Sequence, residues 1–330
     1  MNRNGRPLRL IMPISRFVVE LIAAAAMVIA AGAACGEDYP SKPIRMLTSE
    51  PGGGSDFVAR LIAQGLSGII GQRVVVDNRG IVAAEISARA QPDGYTLLLY
   101  GSPLWLSPFM RDNLPFDPVK DFAPITLAVS TPNIVAVHPS VPAKSIEELI
   151  AFARARPGEL NYSSSSTGST QHLGAELFKA MAGVNIVRVS YKGSGPALNA
   201  IIAGQVQLMF PSAGSVMQHV KSGRLRALAV TTAQPSVLVP GLPTVSASGL
   251  PGYESVSPFG IFAPAKCPAV LIARLNHELV RVLSSAETRE KFFNAGVETV
   301  GSSPAQLAAT MNSEMAKWGK LIRDAGIREQ

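Results

Sequence analysis

The chain has 330 residues, 47% of them hydrophobic and 16% charged, and it carries 25 prolines. That composition suits one large or two medium globular domains and excludes a coiled coil or a disordered tail. The formal charge is +7, but Arg3, Arg6, Arg9 and Arg16 against Glu20 put three of those charges in the first 35 residues. The remaining +4 is scattered with no Lys/Arg block, so there is no nucleic-acid footprint.

Residues 1–35 read as a secretory signal. A basic segment ends at Arg16, an apolar run of 11 residues spans Leu21 to Ala31, and Ala31-Gly32-Ala33-Ala34 offers small residues for cleavage. The apolar run is short for a membrane span, so a retained anchor is the weaker reading. Cys35 follows directly. Lipid attachment there is open but not favoured, because Gly32 stands where a large aliphatic residue is normally required. Cys267 is the other cysteine, so loss or acylation of Cys35 leaves no disulfide within the chain.

After an extended lead-in, a strand is expected over 44–48. Glu50-Pro51-Gly52-Gly53-Gly54-Ser55-Asp56 then forms a glycine turn into a helix over 57–70, with Ser55 or Asp56 as its N-cap. The free N–H groups and positive dipole end of such a helix favour an anion. A strand over 73–77, a helix over 83–90 and a strand over 95–100 complete a parallel α/β unit. Residues 101–120 read as irregular, followed by strands over 122–129 and 134–138. Ser145-Ile146-Glu147-Glu148 predicts a capping box for a helix ending near Arg156.

A short strand over 161–163 leads into Ser164-Ser165-Ser166-Thr167-Gly168-Ser169-Thr170-Gln171-His172 and a helical run to Met181. This repeats the first design, with hydroxyls in place of most glycines. Two such loops, each opening an α/β unit, point to a ligand held between two lobes. Further strands are expected over 186–189, 207–210, 225–231 and 259–263, with a helix entered from the turn at 191–197. Three closing helices are expected over 269–285, 288–295 and 304–325. The last starts with a capping box at Ser303 and Gln306 and has Pro304 at its first position.

The histidines, His138, His172, His219 and His277, show no metal-ligand spacing, and no metal or cofactor is expected. Neither a G-x-S-x-G elbow nor a Walker A loop occurs. Ser169 and His172 could form a nucleophile and base on adjacent turns, which keeps a secreted hydrolase in view as the lesser alternative. Dinucleotide binding is a second rival, with Gly52-x-Gly54 before a helix and Asp77 at the end of the next strand. Phe57, at the third-glycine position, speaks against it.

Five segments carry a resemblance. They are Tyr39-Pro40-Ser41-Lys42-Pro43-Ile44-Arg45, Pro51-Gly52-Gly53-x-x-Asp56, Pro92-Asp93-Gly94-Tyr95-Thr96-Leu97, Tyr191-Lys192-Gly193-x-x-Pro196-Ala197 and Phe259-Gly260-x-Phe262-Ala263-Pro264. Together they resemble the Bug-type periplasmic solute-binding receptors of tripartite tricarboxylate transporters, from Tyr39 to the C-terminus. The resemblance implies an α/β fold of the two-lobe periplasmic-binding-protein (type II, clamshell) kind, each lobe a mixed sheet flanked by helices. Residues 36–130 with 258–330 would form one lobe and 131–257 the other. It further implies a monomeric periplasmic binder, not an enzyme, that captures a small organic acid or amino-acid-like solute for membrane permease subunits. A periplasmic sensor is the alternative. By position, Gly53, Gly54, Ser55 and Asp56 would line one side of the cleft, and Ser165, Thr167, Ser169, Thr170 and His172 the other.

Three departures fall near that cleft. Glu50 precedes Pro51 where a small residue is usual, the segment after Arg79 is shorter by about four residues, and Pro211 replaces an Asp after Leu208-Met209-Phe210. A carboxylate at Glu50 would oppose an anion by about 1 to 4 kcal/mol at close range. One expectation is a pocket that is smaller or less suited to dicarboxylates, in which Glu50 with Asp56 prefers an amino-bearing or neutral solute; the alternative is that Glu50 points away to solvent and the usual carboxylate is kept.

Overall fold

The computed structural model describes residues 39–49, 51, 54–80 and 82–328. The chain divides into two units, Met1–Lys42 and Pro43–Gln330. Within the first, only 39–42 are described, as a run of bends. The expected signal over 1–35 and Cys35 lie outside the described residues, as do Glu50 and Gly53. The elements below all belong to the second unit.

The first part is β1 (Ile44–Thr48), α1 (Gly54–Ile70), β2 (Val74–Asn78), α2 (Val82–Ala88) and β3 (Thr96–Gly101), followed by α3 (Pro103–Met110) and β4 (Phe122–Pro132). The middle comprises β5 (Ile134–Val137), α4 (Ile146–Ala155), β6 (Asn161–Ser164), α5 (Thr170–Ala182), β7 (Val187–Ser190), α6 (Ser194–Ile202), β8 (Leu208–Met209), α7 (Ala213–Lys221) and β9 (Arg226–Val230). The last part is β10 (Val256–Pro264), α8 (Ala269–Ser284), α9 (Ala286–Asn294), β11 (Glu298–Thr299) and α10 (Pro304–Asp324).

The strands form two mixed sheets, in the orders β11-β4-β10-β3-β1-β2 and β7-β6-β8-β5-β9. In the first, β1 runs parallel to β2 and β3, while β10 is antiparallel to β3 and β4. In the second, β6 is parallel to β7 and β8, while β5 is antiparallel to β8 and β9. Each sheet with its helices is one lobe of a two-lobe α/β fold.

Burial follows from helices on both faces. Every residue of β5 is buried: Ile134 and Ala136 face one apolar cluster, and Val135 and Val137 face another. Period-two alternation sends neighbouring side chains to opposite faces, and here both faces are dry. The first sheet has a core of Leu47, Leu98, Trp105, Phe122, Phe262 and Trp318. Leu173, on α5 beside the second sheet, inserts into that same core.

The lobes exchange chain at two places. Asn133 links β4 to β5, and the segment after Thr231 leads back to β10. These crossings are bonded to each other: Thr231 N–H donates to the Asn133 carbonyl at 3.0 Å, and Ser255 N–H donates to the Thr231 carbonyl at 2.8 Å. Asn133 N–H in turn donates to the Thr231 hydroxyl at 3.0 Å.

Four expectations change. Helix α1 starts at Gly54, so Ser55 and Asp56 lie in its first turn and neither is its N-cap. The stretch read as irregular holds α3, whose first residue, Pro103, has no N–H to leave unsatisfied. Helix α7 was not foreseen. At α4, Ser145 caps as expected by accepting Glu148 N–H at 3.2 Å, but the Glu148 carboxylate takes Lys144 N–H at 2.7 Å, so the box is only half formed.

Candidate functional site

The candidate site residues that are described fall at two strand-to-helix junctions, one on each sheet. On the first sheet, β1 ends at Thr48, which is fully buried and donates to the Leu99 carbonyl at 3.1 Å, tying β1 to β3. Gly54 opens α1 and is exposed. The buried Ser55 hydroxyl pairs with that of Ser49. Asp56 is also buried; its carboxylate accepts Asn78 Nδ2 at 3.0 Å and pairs with Arg60 Nε at 2.9 Å. Asn78 reaches on to the Ser49 carbonyl at 2.9 Å. Asp56 thus fastens the start of α1 to the end of β2, and its charge is answered by Arg60.

Asp77, the acid that a bound ribose would need, is committed elsewhere. It pairs with Arg45 Nη2 at 2.5 Å and with Arg79 Nε at 2.8 Å. Burial raises its pKa, but the hydrogen bonds from Arg45 and Arg79 outweigh that and hold the carboxyl below the usual range. The dinucleotide reading loses its second anchor.

On the second sheet, the loop after β6 is held from several sides. Ser169 is the N-cap of α5, and its Oγ accepts His172 N–H at 3.4 Å. Gly168, at φ 74°, turns the chain into the helix and donates its N–H to His172 Nδ1 at 3.1 Å. Gln171 folds back, accepting Ser165 N–H at 3.2 Å and donating to Ser194 Oγ at 3.1 Å. The capped turn leaves the N–H groups of Thr170 and Gln171 with no acceptor inside the helix.

His172 is buried, and its pKa falls to about 4, first through burial and then through the charge of Arg188. The ring is therefore neutral at physiological pH. Since Nδ1 accepts the Gly168 N–H, the proton sits on Nε2. Ser169 and His172 do not form a nucleophile–base pair. The serine hydroxyl meets a backbone N–H, and the ring nitrogen on that side is already engaged.

Arg188 is the residue that the sequence reading missed. It lies on β7, and the β6–β7 register sets it opposite Tyr162. Its guanidinium donates from Nε to Ser164 Oγ at 2.8 Å, from Nη1 to Thr167 Oγ1 at 3.2 Å and from Nη2 to the Ser165 carbonyl at 3.0 Å. One planar fork therefore braces three successive points of the loop. Only the pairing of β7 with β6, a long-range fact, brings it there.

The loop also meets the other lobe. Thr170 Oγ1 and Ser257 Oγ, on β10, are 2.7 Å apart. A Cβ added at Gly168 would stand 2.5 Å from Met110 Sδ, at the end of α3. Met110 also lines a cavity of about 20 Å³ with Ala84, Tyr100, Pro103, Leu104, Ser107 and Phe116. A larger groove of about 520 Å³, lined by Val237, Arg289, Phe293 and Glu298 among others, includes no residue of either turn. Among the described residues no His/Cys/Asp/Glu group could hold a metal, and no helix is long and apolar enough to cross a membrane.

Two α/β lobes joined by two crossings, with a polar turn from one seated against the other, define a solute-binding protein of the two-lobe type. The family model described as the tripartite tricarboxylate transporter family receptor, TctC, matches residues 58–327. The chain belongs to that family and is a binding protein, not an enzyme. Protein BugT of Bordetella pertussis is 32% identical over 299 residues, covering 88% of this chain and 92% of BugT. The structure of R. palustris Rpa4515 with adipate superposes with a TM-score of 0.81 at 36% identity, covering 89% of this chain and all of that one. MatC from Rhodopseudomonas palustris with bound malate gives 0.75 at 27% identity, covering 86% and 99%.

Proposed function

We propose that this receptor captures a small organic acid between its lobes, outside the cytoplasm, and hands it to the permease subunits of a tripartite tricarboxylate transporter. The lobes would be 36–130 with 258–330 and 131–257, preceded by a cleaved leader over 1–35. The observation that carries the reading is the turn after β6. It gathers the first N–H groups of α5 and the Arg188 guanidinium in one place, and it is seated against Ser257 and Met110 of the other lobe. Adipate in one relative and malate in another support the same class of solute.

In this scheme Thr170, Thr167 and Ser165 present the turn to the solute, while Ser169 and His172 act mainly by shaping it. Gly54 and Ser55 would offer the first N–H groups of α1 from the opposite side, with Asp56 fastening the helix start to β2. No chemistry follows binding. Closure comes from contacts made to the solute by both lobes at once.

The test is a thermal-shift screen of the mature chain, starting after Cys35, against mono-, di- and tricarboxylates, amino acids and amides. A solute at 100 times its Kd adds about 2.7 kcal/mol, a shift of a few degrees at this size. Dicarboxylates are expected to raise the melting temperature. A rise only with amides or amines would overturn the carboxylate reading.

A further inference from the structure

We propose that Arg188 is the charge-selecting residue of this receptor: it makes the turn after β6 prefer an ionised carboxylate over the equally shaped neutral amide. This rests on the reading of that turn as the solute site.

Arg45, Arg60 and Arg79, on the first lobe, each meet a carboxylate. The partners of Arg188 are the side chains of Ser164, Thr167 and Ser190 and the carbonyl of Ser165, all neutral. The acid whose field reaches it, Glu176, is already answered. Both its oxygens meet Lys179 Nζ, at 2.8 and 2.9 Å, and it accepts the Tyr162 hydroxyl at 2.6 Å. Among the described residues, Arg188 is thus a half-buried cation whose hydrogen-bond partners are all neutral and which meets no carboxylate of its own.

A charge left uncompensated in partly desolvated surroundings attracts an anion more strongly than it would in water. The neighbouring imidazole adds no second positive charge. Neutral donors such as backbone N–H groups serve a carboxylate and an amide carbonyl alike, so they discriminate weakly between the two. The fixed charge of Arg188, bonded to the turn that leads into α5, discriminates strongly.

The experiment compares Kd by calorimetry for adipate against adipamide and for malate against malamide, with wild type, Arg188→Gln and Arg188→Lys. Melting curves without solute check the fold of each variant. Wild type is expected to bind the better acid at least tenfold more tightly than its amide. Arg188→Gln should shrink that ratio about tenfold or more, whatever it does to affinity in general. Arg188→Lys keeps the charge without the fork, so it should retain the preference while weakening both compounds.

If Arg188→Gln and Arg188→Lys weaken acid and amide in parallel, Arg188 is only a brace, and the inference fails while the carboxylate site stands. A wild-type ratio below tenfold overturns the inference even if neither variant folds. Binding of the amides but of no acid overturns the carboxylate site itself, and the inference with it.

Discussion

His172 shows how a single side chain can be read from its surroundings. An ordinary histidine titrates near 6.5, and burial in the turn lowers this one to about 4. The unfolded chain therefore takes up the proton first as the pH falls. The contribution of His172 to stability is complete above pH 6.5, is lost progressively down to about pH 4, and changes no further below that. The shift corresponds to about 3 kcal/mol at most. His172→Asn preserves an acceptor for the Gly168 N–H but does not titrate. Urea unfolding at pH 7.5 and 4.5 should show wild type losing about 2–3 kcal/mol more than the variant over that interval. Equal losses would mean that the ring takes up its proton in the folded state near its ordinary pKa. For the same reason, solute affinity should not change through His172 between pH 5 and 8.

At the scale of the element, the capping box at α10 is a local device with a local test. Ser303 Oγ accepts Gln306 N–H at 3.3 Å, and Gln306 Oε1 accepts Ser303 N–H at 2.8 Å. Ser303→Ala removes one half and should lower stability by about 1 kcal/mol, measured as a change in urea midpoint at constant slope. No change would mean that water replaces the cap. This box was legible because all its partners lie within four residues. The same locality explains why β1, α1, β2 and the β6–α5 turn could be read directly: each is a contiguous strand, turn and helix. Helix α3 was obscured by Pro103 and Pro108, which look like breakers unless the first is seen to fall at the helix start. Ser55 and Asp56 were plausible caps by type, yet the helix begins before them, because Gly54 already takes helical geometry. Arg188 could not be found locally. Its neighbours Val187 and Val189 mark a strand, but only the sheet order places that strand beside β6.

For the whole molecule, the question is whether the contact between Gly168 and Met110 belongs to the solute-bound arrangement of the lobes or is present throughout. Gly168→Ala introduces two separable costs. At φ 74° an L-residue is strained by about 1–2 kcal/mol, and the new methyl would meet Met110 Sδ at 2.5 Å. Strain is a property of the turn alone, whereas the collision requires both lobes to be together. Met110→Ala removes the collision and leaves the strain. In a double-mutant cycle on solute Kd, Gly168→Ala should weaken binding by at least tenfold, and Met110→Ala in the same chain should restore a large part of the loss. The coupling energy is expected to be about 1 kcal/mol or more. Coupling in Kd without matching coupling in the melting temperature of the free protein would mean that the contact forms on closure. Coupling in the melting temperature of the free protein with none in Kd would mean that the lobes already meet at this point before the solute arrives, so that closure must be sought at the crossings through Asn133 and Thr231.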